Sequence, residues 1–289
     1  MERKVADISV IIPVYNEEDR IKGCLGAITN QAVQPREIIV VDNNSTDQTV
    51  AIANNFSGIK IIKEPKQGIA YARDAGFKVA KGSILARIDA DAFVPTNWVQ
   101  LVDDNFKSDK NIGALSGYGY SRTGLTNKYI SRLISWAIHS HGKALFGATM
   151  VWGSNMAIKK SVWQKISKDT IADSAVHEDI DIALALASHG YKVKVDKNLV
   201  VNADLEEVQR FSKYMRYYKM VFNNLRYHKN HPRSEYKSMK RINFFIRAYH
   251  WLITAPFVGL FVILTFLNSI YYKIRQNLFN PLVEIIKAD

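Results

Sequence analysis

Short runs of β-branched residues alternate with segments of helical periodicity in the first third of the sequence, and this alternation constrains the fold most. Four runs are candidate strands: "ISVIIPV" (8–14), "EIIVVD" (37–42), "IKIIK" (59–63) and "SILARID" (83–89). The segments between them carry apolar residues at helical spacing. Strand–helix–strand repetition predicts an α/β fold with a mostly parallel sheet flanked by helices. Near-continuous Ile and Val fit strands that are buried on both faces.

Polar residues follow three of these candidate strands. The first strand leads into Tyr15 and Glu17, the second ends at Asp42, and the fourth ends at Asp89 and Asp91. Each acid alone is as readily explained as a turn former or a helix cap. Ligands of open parallel sheets, however, bind outside the carboxyl ends of the strands. Acids delivered to one edge by three strands therefore indicate a binding site.

Asp89 and Asp91 form a DxD pair whose side chains would share one face of an extended chain. Two like charges so close are costly unless a positive charge lies between them. Neither GxxxxGK[ST] nor a strand followed by GxGxxG occurs in the sequence, so the common phosphate loops are absent. We expect instead a divalent cation, Mg²⁺ or Mn²⁺, that bridges Asp91 to a nucleotide diphosphate, with Arg73 neutralising further charge.

Five sequence segments occur in the order found in the family 2 glycosyltransferases, which have the GT-A fold. The segments are "ISVIIPVYNEE", "EIIVVDNNSTDQT", "GIAYARDAG", "ARIDADA" and "HEDIDIALALASHGYKV". The resemblance covers roughly residues 7–205, which we take as a GT-A domain (1–205). It implies a Rossmann-like GT-A fold and an inverting glycosyltransferase.

The resemblance also implies the residues that bind the donor nucleotide. Pro13, Tyr15 and Glu17 would lie beside the nucleoside, and Asp42 would bind the base, typically uracil. Asp89 would approach the ribose or the sugar.

Further implied roles concern the pyrophosphate, the metal and the acceptor. Arg73 would contact the pyrophosphate and Asp91 would hold the metal. Asp179, in "VHEDIDIAL", would be the catalytic base, because the acceptor hydroxyl must lose a proton as it attacks the anomeric carbon. The alternative is that Glu178 and Asp179 are only first-turn acids that favour a helix start.

The segment "VWGSNMAIKK" matches the part of the family that lies beneath the donor sugar and near the acceptor. Trp152 would stack on a sugar ring and Gly153 would permit close approach of the backbone. We expect Asn155 and Glu178 near the same sugars. A single tryptophan is more often a core residue, which is the alternative for Trp152.

The sequence departs from the processive members of the family, which carry a QxxRW motif after the acidic pair. The corresponding stretch here is "KYMRYY", with Lys213, Arg216 and Tyr217 in those places. The departure favours an enzyme that adds a single sugar.

Residues 206–289 are expected to form a basic helical region. Eleven of the Lys and Arg residues lie between Arg210 and Arg247, where Glu235 is the only acid. Such a stretch suits an anionic membrane surface, phosphate-bearing substrates or nucleic acid. Residues 251–272 contain no charge and are long enough to cross a bilayer. This segment makes lipid a better partner than nucleic acid, although a buried core helix remains an alternative.

These observations predict a glycosyltransferase at the cell membrane that makes cell-envelope glycans or glycolipids on a lipid-linked or other glycan acceptor. The single cysteine, Cys24, excludes an internal disulfide, and the sequence start lacks the features of a signal peptide. We therefore expect the catalytic domain on the cytoplasmic side. Two alternatives stay open: a sugar-phosphate nucleotidyltransferase, and a non-catalytic basic membrane-binding protein on the same fold.

Overall fold

The predicted alternation of strands and helices is confirmed in the structure, a computed structural model. It describes residues 5–121, 147–173 and 175–203, and individual residues within 131–143, 219–224 and 252–270. The strands are β1 (Val5–Val14), β2 (Gln34–Asp42), β3 (Ile59–Lys63), β4 (Ile84–Ile88), β5 (Ile112–Ser121), β6 (Asn155–Lys159) and β7 (Lys192–Ala203). The continuously described helices are α1 (Ile21–Thr29), α2 (Thr49–Asn54), α3 (Ile69–Val79), α4 (Trp98–Ser108), α5 (Lys160–Ile166) and α6 (Glu178–Ser188).

The seven strands form one sheet in the order β3-β2-β1-β4-β6-β5-β7. All neighbouring strands pair in parallel except β6, which is antiparallel to both β4 and β5. The mostly parallel sheet is thus confirmed, whereas the antiparallel β6 was not anticipated. Because β6 runs in the opposite direction, its first residue lies at the same edge of the sheet as the last residues of the other strands.

Both faces of the sheet are buried, as the unbroken apolar runs predict. Along β1, Ile12 packs in the cluster that includes α1 and α4, and Ile11 packs in the cluster on the opposite face with α3, α5 and α6. Each buried side chain of this size stabilises the fold by about 1.5–3 kcal/mol. On the second face, Phe77 of α3 meets Trp163 of α5 edge to face at 5.0 Å between ring centres. The sheet is thereby a rigid support for residues at its edge.

Asn155, the first residue of β6, joins several elements of the fold. Its Nδ2 donates to the carbonyl oxygens of Tyr118 (3.0 Å) and Leu199 (2.9 Å), and its Oδ1 accepts from Nε1 of Trp98 (2.9 Å). The side chain is fully buried. Its carboxamide is thus bonded to β5, β7 and α4, and the expected place of Asn155 near a sugar stays a prediction.

The carboxyl-terminal region is described only at scattered positions. The predicted boundary near residue 205, and most of the basic stretch and of segment 251–272, lie outside the described residues. Leu252, Ile263, Leu267 and Ile270 are helical and exposed. Within the part of the chain that the structure describes, no helix meets the length and apolarity needed to cross a membrane.

Candidate functional site

The loops that follow β1 and β2 are bonded to each other at the carboxyl edge of the sheet. The backbone N–H of Asn16 donates to Oγ of Ser45 (3.2 Å), and Oδ1 of Asn16 accepts from the backbone N–H of Thr46 (2.8 Å). Asn16 and Asn44 have φ angles of 54° and 69°, in the left-handed region that asparagine adopts more readily than most residues. The two loops therefore form one fixed rim.

Residues predicted to bind a nucleoside lie on or beneath this rim. Pro13 is buried within β1, beside Val41 of β2. Tyr15, two residues further on, leaves the sheet and is 50% exposed. Asp42 ends β2 and is largely buried, and its Oδ1 accepts the backbone N–H of Ser45 (2.9 Å). Asp42 is thus a turn former, and it also lies at the expected edge.

Asp89 and Asp91 do not continue the strand as the spacing argument assumed. β4 ends at Ile88, and residues 89–92 form a turn closed by the backbone N–H of Ala92 on the carbonyl oxygen of Asp89 (3.0 Å). The two carboxylates nevertheless stay close. Burial, followed by the charges of Asp89 and Glu17, raises the pKa of Asp91 to about 7. Three acids therefore form one negative cluster at this turn.

Arg87 supplies the positive charge beside Asp89. Its Nη2 lies 2.9 Å from Oδ1 of Asp89, its Nη1 donates to Oε1 of Glu178, and Nη1 lies 3.8 Å from Oδ1 of Asp179. The Arg87 side chain is only 3% exposed. Sequence reasoning missed this residue because it treated residues 83–89 as an apolar run. The signal was available, since a buried strand carries an arginine only if acids pair with it.

Glu178 and Arg73 form the enclosed part of the same network. Glu178 is buried and accepts from Arg87 and from Nη1 of Arg73 (2.7 Å). Although burial opposes its ionisation, the two guanidinium groups lower the pKa of Glu178, which is therefore charged. Arg73 has no solvent exposure and also pairs with Asp74 (2.8 Å). Arg73 and Glu178 thus belong to a buried ion-pair network with Arg87, and their expected contacts with pyrophosphate and sugar stay predictions.

Asp179 lies beside Arg87 and keeps 14% of its side chain exposed. Its Oδ2 accepts the backbone N–H of Gly153 (2.9 Å), and its Oδ1 accepts no hydrogen bond from any residue that the structure describes. Burial and the charge of Glu178 raise the pKa of Asp179 above its ordinary value. The carboxylate can therefore accept a proton more readily than an exposed aspartate.

Gly153 is required at its position by the close packing of the site. A Cβ atom there would lie 2.6 Å from Nη1 of Arg87 and closer still to Oδ1 of Asp179. The group that lies close to Gly153 in the structure is a carboxylate of the protein, and the approach of a ligand to this backbone stays a prediction. Trp152 packs its ring against the backbone at Gly119 and is partly exposed.

The acids at the β4 turn are a candidate site for a divalent cation. Among the residues described, no three side chains of His, Cys, Asp or Glu form a complete metal site. Asp89, Asp91 and Glu17 nevertheless concentrate negative charge, as the raised pKa of Asp91 records. Mg²⁺ and Mn²⁺ often bind through one or two carboxylates and complete their shell with phosphate and water. The residues present fit that incomplete type of site.

A family model described as "Glycosyl transferase family 2" matches residues 9–167, more than half of the chain. Glycosyltransferase AglE of Haloferax volcanii is 36% identical over 124 residues, which are 40% of this chain and 38% of that protein. The chain thus spans less than half of the length of this relative.

Two solved structures share the fold. One is the mannosyltransferase PcManGT of Pyrobaculum calidifontis in complex with GDP-Man and Mn²⁺. The matched region covers 95% of this chain and 88% of that protein, with 18% identity and a TM-score of 0.55. TarS 1–349 of S. aureus, in complex with UDP-GlcNAc, covers 86% of this chain and 79% of its own, with 14% identity and a TM-score of 0.53. Their likeness confirms the α/β architecture of a GT-A protein.

The raised pKa of Asp91 predicts a pH-dependent cost to stability. The folded protein holds this proton up to about pH 7, whereas the unfolded chain releases it near 3.8, so stability is lost as pH rises between these values. Asp91→Asn removes the cost. In urea unfolding with a chelator, we expect the variant to gain about 1 kcal/mol more over wild type at pH 8 than at pH 5, after allowance for solvent screening.

The matched control for that measurement is Asp104→Asn, at an exposed position on α4. It should show the same difference from wild type at both pH values. A gain for Asp91→Asn that is independent of pH would contradict the electrostatic account of the cluster.

Proposed function

Because the chain belongs to glycosyl transferase family 2, we propose that it is an inverting, metal-dependent enzyme that transfers one sugar from a nucleotide-diphosphate sugar to a hydroxyl group. One observation carries the proposal. Asp179, a carboxylate with a raised pKa and a single backbone hydrogen bond, lies on one side of Arg87, and the acid cluster of Asp89 and Asp91 lies on the other.

The rim formed by the loops after β1 and β2 is the proposed nucleoside site. Tyr15 offers an exposed ring, and Asp42 has one carboxylate oxygen bonded to Ser45 and a second oxygen that can accept from a base N–H. A uracil ring N–H would suit such an acceptor. That PcManGT and TarS were solved with GDP-Man and UDP-GlcNAc supports a nucleotide-sugar donor, and UDP is the nucleotide we propose.

Asp179 is the proposed general base. As the acceptor oxygen forms its bond to the anomeric carbon, its proton passes to the carboxylate of Asp179. The bond between the anomeric carbon and the diphosphate oxygen breaks on the opposite face, so that the configuration inverts. The raised pKa of Asp179 brings its basicity closer to that needed at neutral pH. Gly153 and Arg87 hold the carboxylate in one orientation.

Asp91 is the proposed protein ligand of a divalent cation, with Asp89 and Glu17 adding negative charge nearby. A bound Mg²⁺ or Mn²⁺ would neutralise charge on the departing diphosphate. The ion pair with Arg87 fixes the orientation of the Asp89 carboxylate near Asp91. The Mn²⁺ in the PcManGT structure supports this choice of ion class.

The proposed acceptor is a lipid-linked or other membrane-proximal glycan of the cell envelope, reached from the cytoplasmic side of the cell membrane. The basic stretch between Arg210 and Arg247 would bind anionic headgroups, with about 1 kcal/mol for each cation near the surface. The exposed apolar residues Ile263, Leu267 and Ile270 follow helical spacing and would enter the interface.

Replacement of Asp179 tests the chemical step. Asp179→Asn keeps the shape of the side chain but removes its capacity to accept a proton. We expect transfer from a labelled UDP-sugar to membrane-lipid extracts to fall by about 10²- to 10⁴-fold, with donor affinity unchanged. Asp104→Asn is the control and should transfer at the wild-type rate. Near-normal turnover of Asp179→Asn would remove Asp179 from the mechanism, and release of UTP in place of UDP would contradict glycosyl transfer.

The metal role of Asp91 is tested separately by nucleotide binding. Asp91→Ala removes the proposed ligand, so the increase in UDP affinity that Mn²⁺ produces in wild type should disappear in calorimetric titrations. Affinity for UDP without metal should change little. A Mn²⁺-dependent increase that persists in the variant would show that the cation is held elsewhere.

Membrane association is tested by cosedimentation with vesicles. The full chain should bind vesicles that contain anionic lipid more tightly than neutral vesicles or single-stranded DNA, and the preference should weaken as salt increases. Equal binding to neutral and anionic vesicles at all salt concentrations would contradict the role of the basic stretch.

A further inference from the structure

Two asparagines that lie beyond the predicted domain boundary contact the loop before α6. Asn224 is fully buried, its Nδ2 donates to the carbonyl oxygen of His177 (3.0 Å), and its Oδ1 accepts the backbone N–H of the same residue (2.7 Å). Asn223, which is more exposed, donates from Nδ2 to the carbonyl oxygen of Ala175 (2.9 Å). One carboxamide thus occupies both backbone groups of His177.

The position of His177 gives this contact its importance. His177 precedes α6 directly, and the first two residues of that helix are Glu178 and Asp179. The first N–H groups of a helix have no partner within it, and a side chain often caps them. His177, the N-cap residue here, makes no such side-chain bond. Asn224 instead fixes the backbone from outside the helix.

Other residues of the loop also form hydrogen bonds with neighbouring elements. The backbone N–H of Ile171 donates to Oδ2 of Asp181 (2.6 Å), and the hydroxyl of Tyr71 donates to the carbonyl oxygen of Ala172. Asn224 lies 47 residues after His177 in the sequence, and its contact is at the residue directly before α6. The helix start is therefore held by a segment that follows the whole sheet.

We propose that Asn224 is a positioning residue for Asp179. This inference rests on the proposed function, in which Asp179 is the general base. Asn224 holds the backbone of His177, and thereby keeps the first turn of α6 at the distance at which Asp179 meets the N–H of Gly153 and Nη1 of Arg87. Asn224 touches neither donor nor acceptor in this scheme. It acts through the backbone, so its loss should slow the chemical step without weakening donor binding.

The sequence position of Asn224 links the proposal to the basic stretch. Asn224 lies between Arg210 and Arg247, inside the basic stretch proposed to contact anionic lipid. Asn223 and Asn224 therefore bring the described part of this stretch against the loop before α6.

The test compares two buried asparagines that each make two side-chain hydrogen bonds. Asn224→Ala removes the bonds to His177. Asn105→Ala, the control on α4, removes bonds from Nδ2 to Leu101 O and Asp196 Oδ2, both 2.8 Å. For Asn224→Ala we expect kcat of transfer to fall on the order of 10- to 100-fold, the KM for the donor to stay within about twofold, and amide exchange at His177 and Asp179 to become faster. Asn105→Ala should leave all three at wild-type values.

The outcomes separate this proposal from the proposed function. If wild type transfers no sugar from any donor, the proposed function fails, and amide exchange at His177 still decides whether Asn224 holds the helix start. An unchanged kcat in Asn224→Ala overturns the positioning role, as does an equal loss of kcat in Asn105→Ala. Should Asn224→Ala not fold, Asn224→Gln keeps the carboxamide but displaces it by one methylene, and the same decrease in kcat is expected.

Discussion

The site depends on one buried carboxylate, Glu178, which is held between two buried guanidinium groups. Each of these charges loses several kcal/mol of hydration on burial, and only close pairing offsets that loss. Arg73 belongs to α3, Arg87 to β4 and Glu178 to α6, so the pairing joins two helices to the centre of the sheet. Because Asp179 follows Glu178 directly, the same ion pairs that hold α6 against the sheet also place the proposed base.

Arg87 connects the acid cluster at the β4 turn with the carboxylates at the start of α6. It contacts Asp89 on the side of the acid cluster and Glu178 and Asp179 on the other side. A guanidinium presents several donors in a fixed planar fork, so its carboxylate partners take fixed positions relative to each other. The absence of a side chain at Gly153 then allows Asp179 to approach this fork and a backbone N–H together.

The architecture followed from sequence more readily than the site did. Alternating apolar runs and helical periods predicted β1 to β4, α1 to α3 and the parallel sheet, because these patterns depend on local spacing alone. The edge that collects Tyr15, Asp42, Asp89 and Asp91 followed from the direction of parallel strands. The antiparallel β6 did not, since the pairing of "NMAIK" depends on contacts with distant strands. The turn at Asp89 was not predicted either, because the spacing argument assumed that the strand continues to Asp91.

Sequence reasoning did not find the partners that polar site residues have far away in sequence. Arg73, Glu178 and Asn155 were expected near ligand, and the structure shows that each also bonds to other elements of the fold. Resemblance to a family motif gives the identity of a residue but does not give its burial in the fold. The positive charge sought between the aspartates illustrates the same limit. A cation was inferred for the pair, and part of the compensation beside Asp89 comes from Arg87, two residues earlier on the chain.

Burial of Arg73 and Arg87 also bears on the order in which the chain is made. Their shared partner, Glu178, follows them by 105 and 91 residues. A fragment that ends before α6 lacks the carboxylate that offsets the burial of these two guanidinium groups. The final packing of Arg73 and Arg87 is therefore complete only after α6 has been synthesised.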